Sequence, residues 1–109
     1  MNKIFIIGNL TRDPELRTTA GDNPQSYCRF TVAVSRGKDN EADFFNVTVW
    51  NTRQAEACAQ YLAKGRKVAV TGSLRLRKYE GSNGDSYSLD VNAEEVEFIS
   101  YGKKEDDRS

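Results

Sequence analysis

Residues Lys67 to Tyr79 alternate so regularly that they read as one β-strand thirteen residues long. Val68, Val70, Gly72, Leu74 and Leu76 fall on one side, and Thr71, Ser73, Arg75, Arg77 and Tyr79 on the other. Successive side chains of a strand point to opposite faces. Two cations and a ring therefore stand in a row away from the core, roughly 6 to 7 Å apart for residues two positions apart. That chemistry suits a polyanion with flat bases, because single-stranded nucleic acid is held by charge on its phosphates and by rings against its bases. A solvated strand face that carries two arginines would show the same pattern.

The formal net charge of zero hides a segregated chain. Lys64, Arg66, Lys67, Arg75, Arg77 and Lys78 lie between positions 64 and 78 with no acid among them; Glu80, Asp85, Asp90, Glu94, Glu95 and Glu97 follow with no base. A basic stripe is the footprint of a phosphate-binding surface. The acidic segment is expected to face elsewhere, toward solvent or a partner.

At 109 residues the chain has apolar content for a single small core and hence one domain. No stretch approaches the roughly 20 apolar residues of a membrane span, and Met1-Asn2-Lys3 leads directly into a strand without a signal peptide, so the expected address is the cytoplasm. Cys28 and Cys58 lie on apolar faces and are expected as reduced, buried thiols. With no histidine and no Cys-x-x-Cys, neither a zinc site nor a cofactor is expected. Nor is a catalytic residue. Asp13 with Glu15 lies in a turn, Asp106 with Asp107 lies in a charged tail, and no nucleophile elbow or phosphate loop accompanies either pair.

Ile4-Phe5-Ile6-Ile7 reads as a central strand buried on both faces, ended by Gly8-Asn9. Thr11 to Ser26, with Pro14, Gly21, Asp22 and Pro24, reads as connection. In the second strand Cys28, Phe30, Val32 and Val34 face one way and Tyr27, Arg29, Thr31, Ala33 and Ser35 the other, and a polar loop, Arg36 to Asp43, follows. The third strand carries an anomaly. Phe45, Val47 and Val49 form its apolar face, which leaves two large rings, Phe44 and Trp50, beside Asn46 and Thr48 on the polar one. Either a bulge or a second apolar layer covers them, or they form a stacking platform, where each base contributes about 1 to 3 kcal/mol.

Ala55, Cys58, Ala59 and Leu62 form a helical stripe, with Asn51 or Thr52 as its cap and Gly65 beyond its end. Glu80 to Asp85 is a hairpin tip, and the last strand shifts phase from Tyr87, Leu89, Val91 and Ala93 to Val96 and Phe98, which predicts a bulge near Glu94-Glu95. Three strands, a helix and two strands predict an all-β fold with one helix: a five-stranded Greek-key OB barrel, with the helix between the third and fourth strands and a long hairpin formed by the fourth and fifth. In that fold the face of strands two and three and the loops after strands one and four bind oligonucleotides or oligosaccharides.

The chain also resembles a known family. Asn2-Lys3-Ile4-Phe5-Ile6-Ile7-Gly8-Asn9-Leu10-Thr11-Arg12-Asp13-Pro14-Glu15-Leu16-Arg17 is similar to the opening of bacterial-type single-stranded DNA-binding proteins. Phe30-Thr31-Val32-Ala33-Val34, Ala42-Asp43-Phe44-Phe45-Asn46-Val47, Ala59-Gln60-Tyr61-Leu62-Ala63-Lys64-Gly65 and Val70-Thr71-Gly72-Ser73-Leu74-Arg75-Leu76-Arg77 match in order, so that the likeness covers most of residues 2 to 99.

The resemblance implies sequence-tolerant binding and protection of single-stranded DNA in replication, recombination and repair, by a cytoplasmic, nucleoid-associated homotetramer. Its stacking aromatics map to Phe44, Trp50 and Tyr79, and its phosphate contacts to Lys3, Lys64, Arg75, Arg77 and Lys78, with Arg36 the loosest match. Residues 1–101 would form the DNA-binding domain and 102–109 a charged, disordered tail. Two departures matter. Arg36-Gly37-Lys38-Asp39 lacks the aromatic that the family commonly has in this loop, so one stacking site is expected to be missing or replaced by charge. The chain also stops at Gly102-Lys103-Lys104-Glu105-Asp106-Asp107-Arg108-Ser109, without the acidic Pro-Phe tip that recruits replication and repair proteins. It reads either as the core of a longer protein or as a short member such as a phage or plasmid version. Alternatives are a dimeric OB protein like primosomal replication protein N, and an OB domain used mainly for protein contact through Phe44 and Trp50.

Overall fold

The computed structural model describes residues 1–37 and 41–99, so the tail at 102–109 and the loop positions Lys38, Asp39 and Asn40 lie outside the described residues. Six strands and one helix follow in the order β1 (Ile4–Leu10), β2 (Glu15–Thr18), β3 (Ser26–Ser35), β4 (Ala42–Val49), α1 (Thr52–Tyr61), β5 (Lys67–Gly81) and β6 (Gly84–Phe98). Five of them close into a ring, β1-β5-β6-β4-β3, sealed where Asn9 and Leu10 of β1 pair with Ala33 and Val32 of β3. This is the OB barrel predicted from the element order. The sixth strand, β2, lies in the segment read as connection and pairs with β3 from Glu15↔Arg29 to Thr18↔Ser26.

Alternation explains the core. Phe30 and Val32 of β3, Val47 and Val49 of β4, Val68 and Val70 of β5 and Val91 of β6 point into the ring and are buried. The helix packs on β3, β2 and β4 and buries Ala55 and Cys58; Asn51 is its cap, its side chain accepting from the Gln54 N–H at 3.0 Å. Two glycines mark places where backbones approach too closely for a side chain. A Cβ on Gly8 would stand 2.3 Å from the Ala33 carbonyl oxygen, at the β1–β3 seam, and one on Gly72 would stand 2.1 Å from that of Asn92. Beside Gly72 the β5–β6 register jumps from Thr71↔Glu95 to Gly72↔Ala93, which leaves Glu94 as the extra residue of the predicted bulge.

Two further expectations are corrected. The first strand is not buried on both faces: Ile6 is buried, but Phe5 is 63% exposed and Ile7 also faces out. Its backbone pairs with β5 from Ile4 to Asn9 and with β3 only at Asn9 and Leu10, so the edge from Ile4 to Gly8 has no second partner among the described residues. Leu76 continues the apolar side of its strand yet is 61% exposed, because β5 and β6 outrun the barrel beyond Leu74 and Val91. Among the described residues no layer lies beneath that arm.

Candidate nucleic-acid interface

Register places the outward-facing residues of four strands on one surface. Arg29↔Thr48, Thr31↔Asn46 and Ala33↔Phe44 join β3 to β4; Asn46↔Asp90 and Thr48↔Asn92 join β4 to β6; Ser73↔Asn92, Arg75↔Asp90 and Arg77↔Ser88 join β6 to β5. Every one of these side chains lies on the face opposite the buried valines. A groove of about 390 Å³ opens there, with Tyr27, Arg29 and Trp50 at one end and Arg75 and Arg77 at the other. A second hollow of about 270 Å³ shares Arg29 and Asn46 with it and reaches Arg12.

Among the described residues nothing covers the two rings, Phe44 and Trp50. Phe44 is 58% exposed and Trp50, just past the end of β4, is 41% exposed. Trp50 stacks on Tyr27 with centroids 4.5 Å apart and 30° between planes. Gln25 donates from Nε2 to the Trp50 carbonyl at 2.9 Å, fixing the backbone at that corner. Tyr79 stands on the arm, with the Arg77 guanidinium 5.8 Å from its ring centroid.

The cations predicted as phosphate contacts divide into three kinds. Arg75 lines the groove and, like Arg29, forms no ion pair among the described residues. Arg77 and Lys78 are paired across the hairpin, Arg77 to Asp90 at 3.3 Å and Lys78 to Asp85 at 3.4 Å. Lys3, Arg36 and Lys64 stand outside the groove. Lys3 pairs with the bulge residue Glu94. Arg36 is held by Asp43 at 2.7 Å and Glu41 at 3.3 Å, and the Asp43 carboxylate beside it raises its already high pKa. Lys64 lies where the helix meets the end of β1, its N–H donating to Asp13 Oδ1 at 2.9 Å. That bond makes Asp13 a loop clasp.

The acidic segment does not face elsewhere. The hairpin lays it against the basic strand, and Asp90 comes to rest inside the groove. Asn46 Nδ2 and Ser88 Oγ donate to its Oδ1 at 3.3 and 3.1 Å, and Arg77 donates to Oδ2 at 3.3 Å. Thr31 donates to Asn46 Oδ1 at 3.1 Å, which orients the amide toward Asp90. Of the groove residues, Tyr27, Arg29, Asn46, Thr48, Asp90 and Asn92 are not among the site residues that the sequence predicts. For Tyr27 and Arg29 the signal was present, since both sit on the polar face of their strand; only the register shows that this face continues that of Asn46 and Trp50. The thiols belong to the core. Burial pushes Cys28 up to about 11 and Cys58 up to about 12.

An OB barrel whose polar groove is lined by Trp50, Arg29 and Arg75, with Phe44 exposed on the same face and Tyr79 out on the arm, fits the class of nucleic-acid-binding modules. The family is set by comparison with known proteins. The model of the single-strand binding protein family matches residues 1–99, and the chain belongs to that family. It is 42% identical over 110 residues to the single-stranded DNA-binding protein of Clostridium tetani, covering 96% of this chain and 74% of that protein. Against the protein of the same name from Clostridium perfringens it is 44% identical over 104 residues, covering 94% and 68%. With single-stranded DNA-binding protein 1 of Clostridium acetobutylicum the figures are 41% over 112 residues, 95% and 98%.

Proposed function

We propose that this protein binds single-stranded DNA with little sequence preference and without catalysis. Bases stack on Phe44, Trp50 and Tyr79, while phosphates are carried chiefly by Arg75 and Arg29. The observation that carries this reading is the exposed pair Phe44 and Trp50 on the same face as two arginines, Arg29 and Arg75, that form no ion pair among the described residues. Buried rings would be core, and rings without cations would suit a protein partner as well as a nucleic acid. The family and the names of the relatives support DNA as the ligand. Protection of exposed strands during replication, recombination and repair, in the cytoplasm at the nucleoid, is the role that follows. Lys3, Lys64, Lys78 and Arg36 would contribute to long-range attraction.

A homotetramer is proposed with it. The exposed Phe5 and Ile7 and the unpaired edge of β1 offer surface for association.

The test is a titration of Trp50 fluorescence with poly-dT at several salt concentrations, with the mass in solution measured in parallel. Saturable quenching that weakens steeply with salt is expected, at the mass of four chains. No quenching and no salt-dependent binding would refute DNA binding, while a stable dimer would favour a relative of primosomal replication protein N.

A further inference from the structure

A carboxylate at the centre of a groove for a polyanion is electrostatically misplaced unless it controls something there. Asp90 is no stray surface acid. Its side chain is 22% exposed, and Asn46, Ser88 and Arg77 converge on it from three strands. A carboxylate offers about four acceptor positions, so three donors leave it little capacity for reading a base. What it does hold is a cation. Arg77 points at Asp90 across the hairpin, whereas Arg75, the direct cross-strand neighbour of Asp90, forms no ion pair among the described residues. Two arginines that look equivalent in the strand pattern are therefore unequal: one is open to phosphate, the other is occupied.

We infer that Asp90 is an affinity-setting residue of the groove, which competes with the DNA backbone for Arg77 and repels phosphate from the groove floor. The inference rests on the proposed binding of single-stranded DNA and adds the residue that limits its strength. Phosphates are then borne at the rim by Arg75 and Arg29, bases lie over Asn46, Asp90 and Asn92, and Arg77 changes partners only when a phosphate displaces Asp90. An ion pair that is half exposed on its arginine side is worth up to about 1 kcal/mol, so this competition corresponds to roughly a fivefold effect on affinity.

The experiment measures binding of a dT oligomer to the whole chain as a function of salt, for wild type, Asp90→Asn, Asp90→Ser, Arg77→Ala and the Asp90→Asn/Arg77→Ala double variant, with melting temperatures alongside. Asp90→Asn is expected to tighten binding about fivefold at low salt and to steepen the log–log salt slope by about one, since one more cation now releases counterions. Arg77→Ala alone is expected to weaken binding, because it leaves the Asp90 charge uncompensated on the groove floor, and the double variant, which removes both charges, is expected to return close to wild-type affinity, about fivefold below Asp90→Asn. A purely structural role would leave the salt slope unmoved. Unchanged or weaker binding in both Asp90 variants, at full stability, would overturn the inference. A drop in melting temperature in both, with affinity per folded molecule and salt slope unchanged, would also overturn it and make Asp90 an anchor of the fold. Failure of wild type to bind at all would instead sink the DNA-binding proposal on which it stands.

Discussion

Replacing Trp50 by alanine separates a stacking platform from a core residue, because the two predict different balances of stability and affinity. Truncating a fully buried tryptophan costs roughly 3 to 5 kcal/mol of stability. Trp50 is not in that position. Two-fifths of it is exposed, it is absent from the buried cluster, and its aromatic contact is the stack on Tyr27. Such a stack contributes about 0.5 to 1.5 kcal/mol beyond area, and the partial burial adds to this, so a loss of about 1 to 2 kcal/mol is expected. For a domain of this size that lowers the melting temperature by roughly 5 to 15 °C at fixed chain concentration. Losing a base stack costs a further 1 to 3 kcal/mol of binding, about fivefold to 150-fold in Kd. Calorimetry gives the first quantity; anisotropy of a labelled dT oligomer, corrected for the folded fraction, gives the second. Trp50→Tyr should recover most of the affinity, because a ring remains. A stability loss of 3 kcal/mol or more with unchanged affinity per folded molecule would place Trp50 in the core, and Phe44 would then lose its role as platform as well.

Arg75→Ala should weaken binding to dT, dC and dA oligomers by a similar factor and reduce the salt slope by about one; a changed preference among bases at an intact slope would show that Arg75 does not contact phosphate. Gly72→Ala drives a methyl group against the Asn92 backbone, which cannot step aside, so urea midpoints should fall by the equivalent of about 1 to 3 kcal/mol or more, and an unchanged midpoint would mean the bulge relaxes. Alkaline stability should fall as pH rises through the cysteine window. The folded thiols ionise only near 11 and 12 whereas the unfolded ones do so near the ordinary value of 9.0, so between those values the unfolded chain holds fewer protons and is favoured. Urea denaturation at pH 8, 9.5 and 11 should show this decline, and a Cys28→Ala/Cys58→Ala variant should show less of it.

What could be read in the sequence was whatever depends on a two-residue period. The contrast between Phe44 and Phe45, adjacent rings on opposite faces, follows from strand geometry alone, and so does the bulge at Glu94, because an extra residue must shift the phase of every apolar position after it. β2 escaped notice because Glu15, Leu16, Arg17 and Thr18 are all exposed. A strand with no buried face leaves no periodic mark. Phe5, Ile7 and Leu76 read as buried because apolar character marks a face without saying whether anything packs on it. Asp90 was hidden for a different reason. Counting charge along the chain separates acids from bases, whereas an antiparallel hairpin folds one block directly onto the other.

That folding back also sets how the interface is divided. The groove between Arg29 and Asp90 stands on the barrel, where Val47 and Val91 lie buried beneath its floor. The arm beyond Arg75 has no such support among the described residues; its residues from Arg75 to Tyr87 are exposed, and it is held by the β5–β6 ladder with the Lys78–Asp85 pair. Elements with few buried contacts open most easily. Tyr79 therefore stands on the unsupported arm, while Trp50 and Phe44 stand on the barrel. Arg77 sits at the junction, its guanidinium near the Tyr79 ring and bonded to Asp90 on the barrel side.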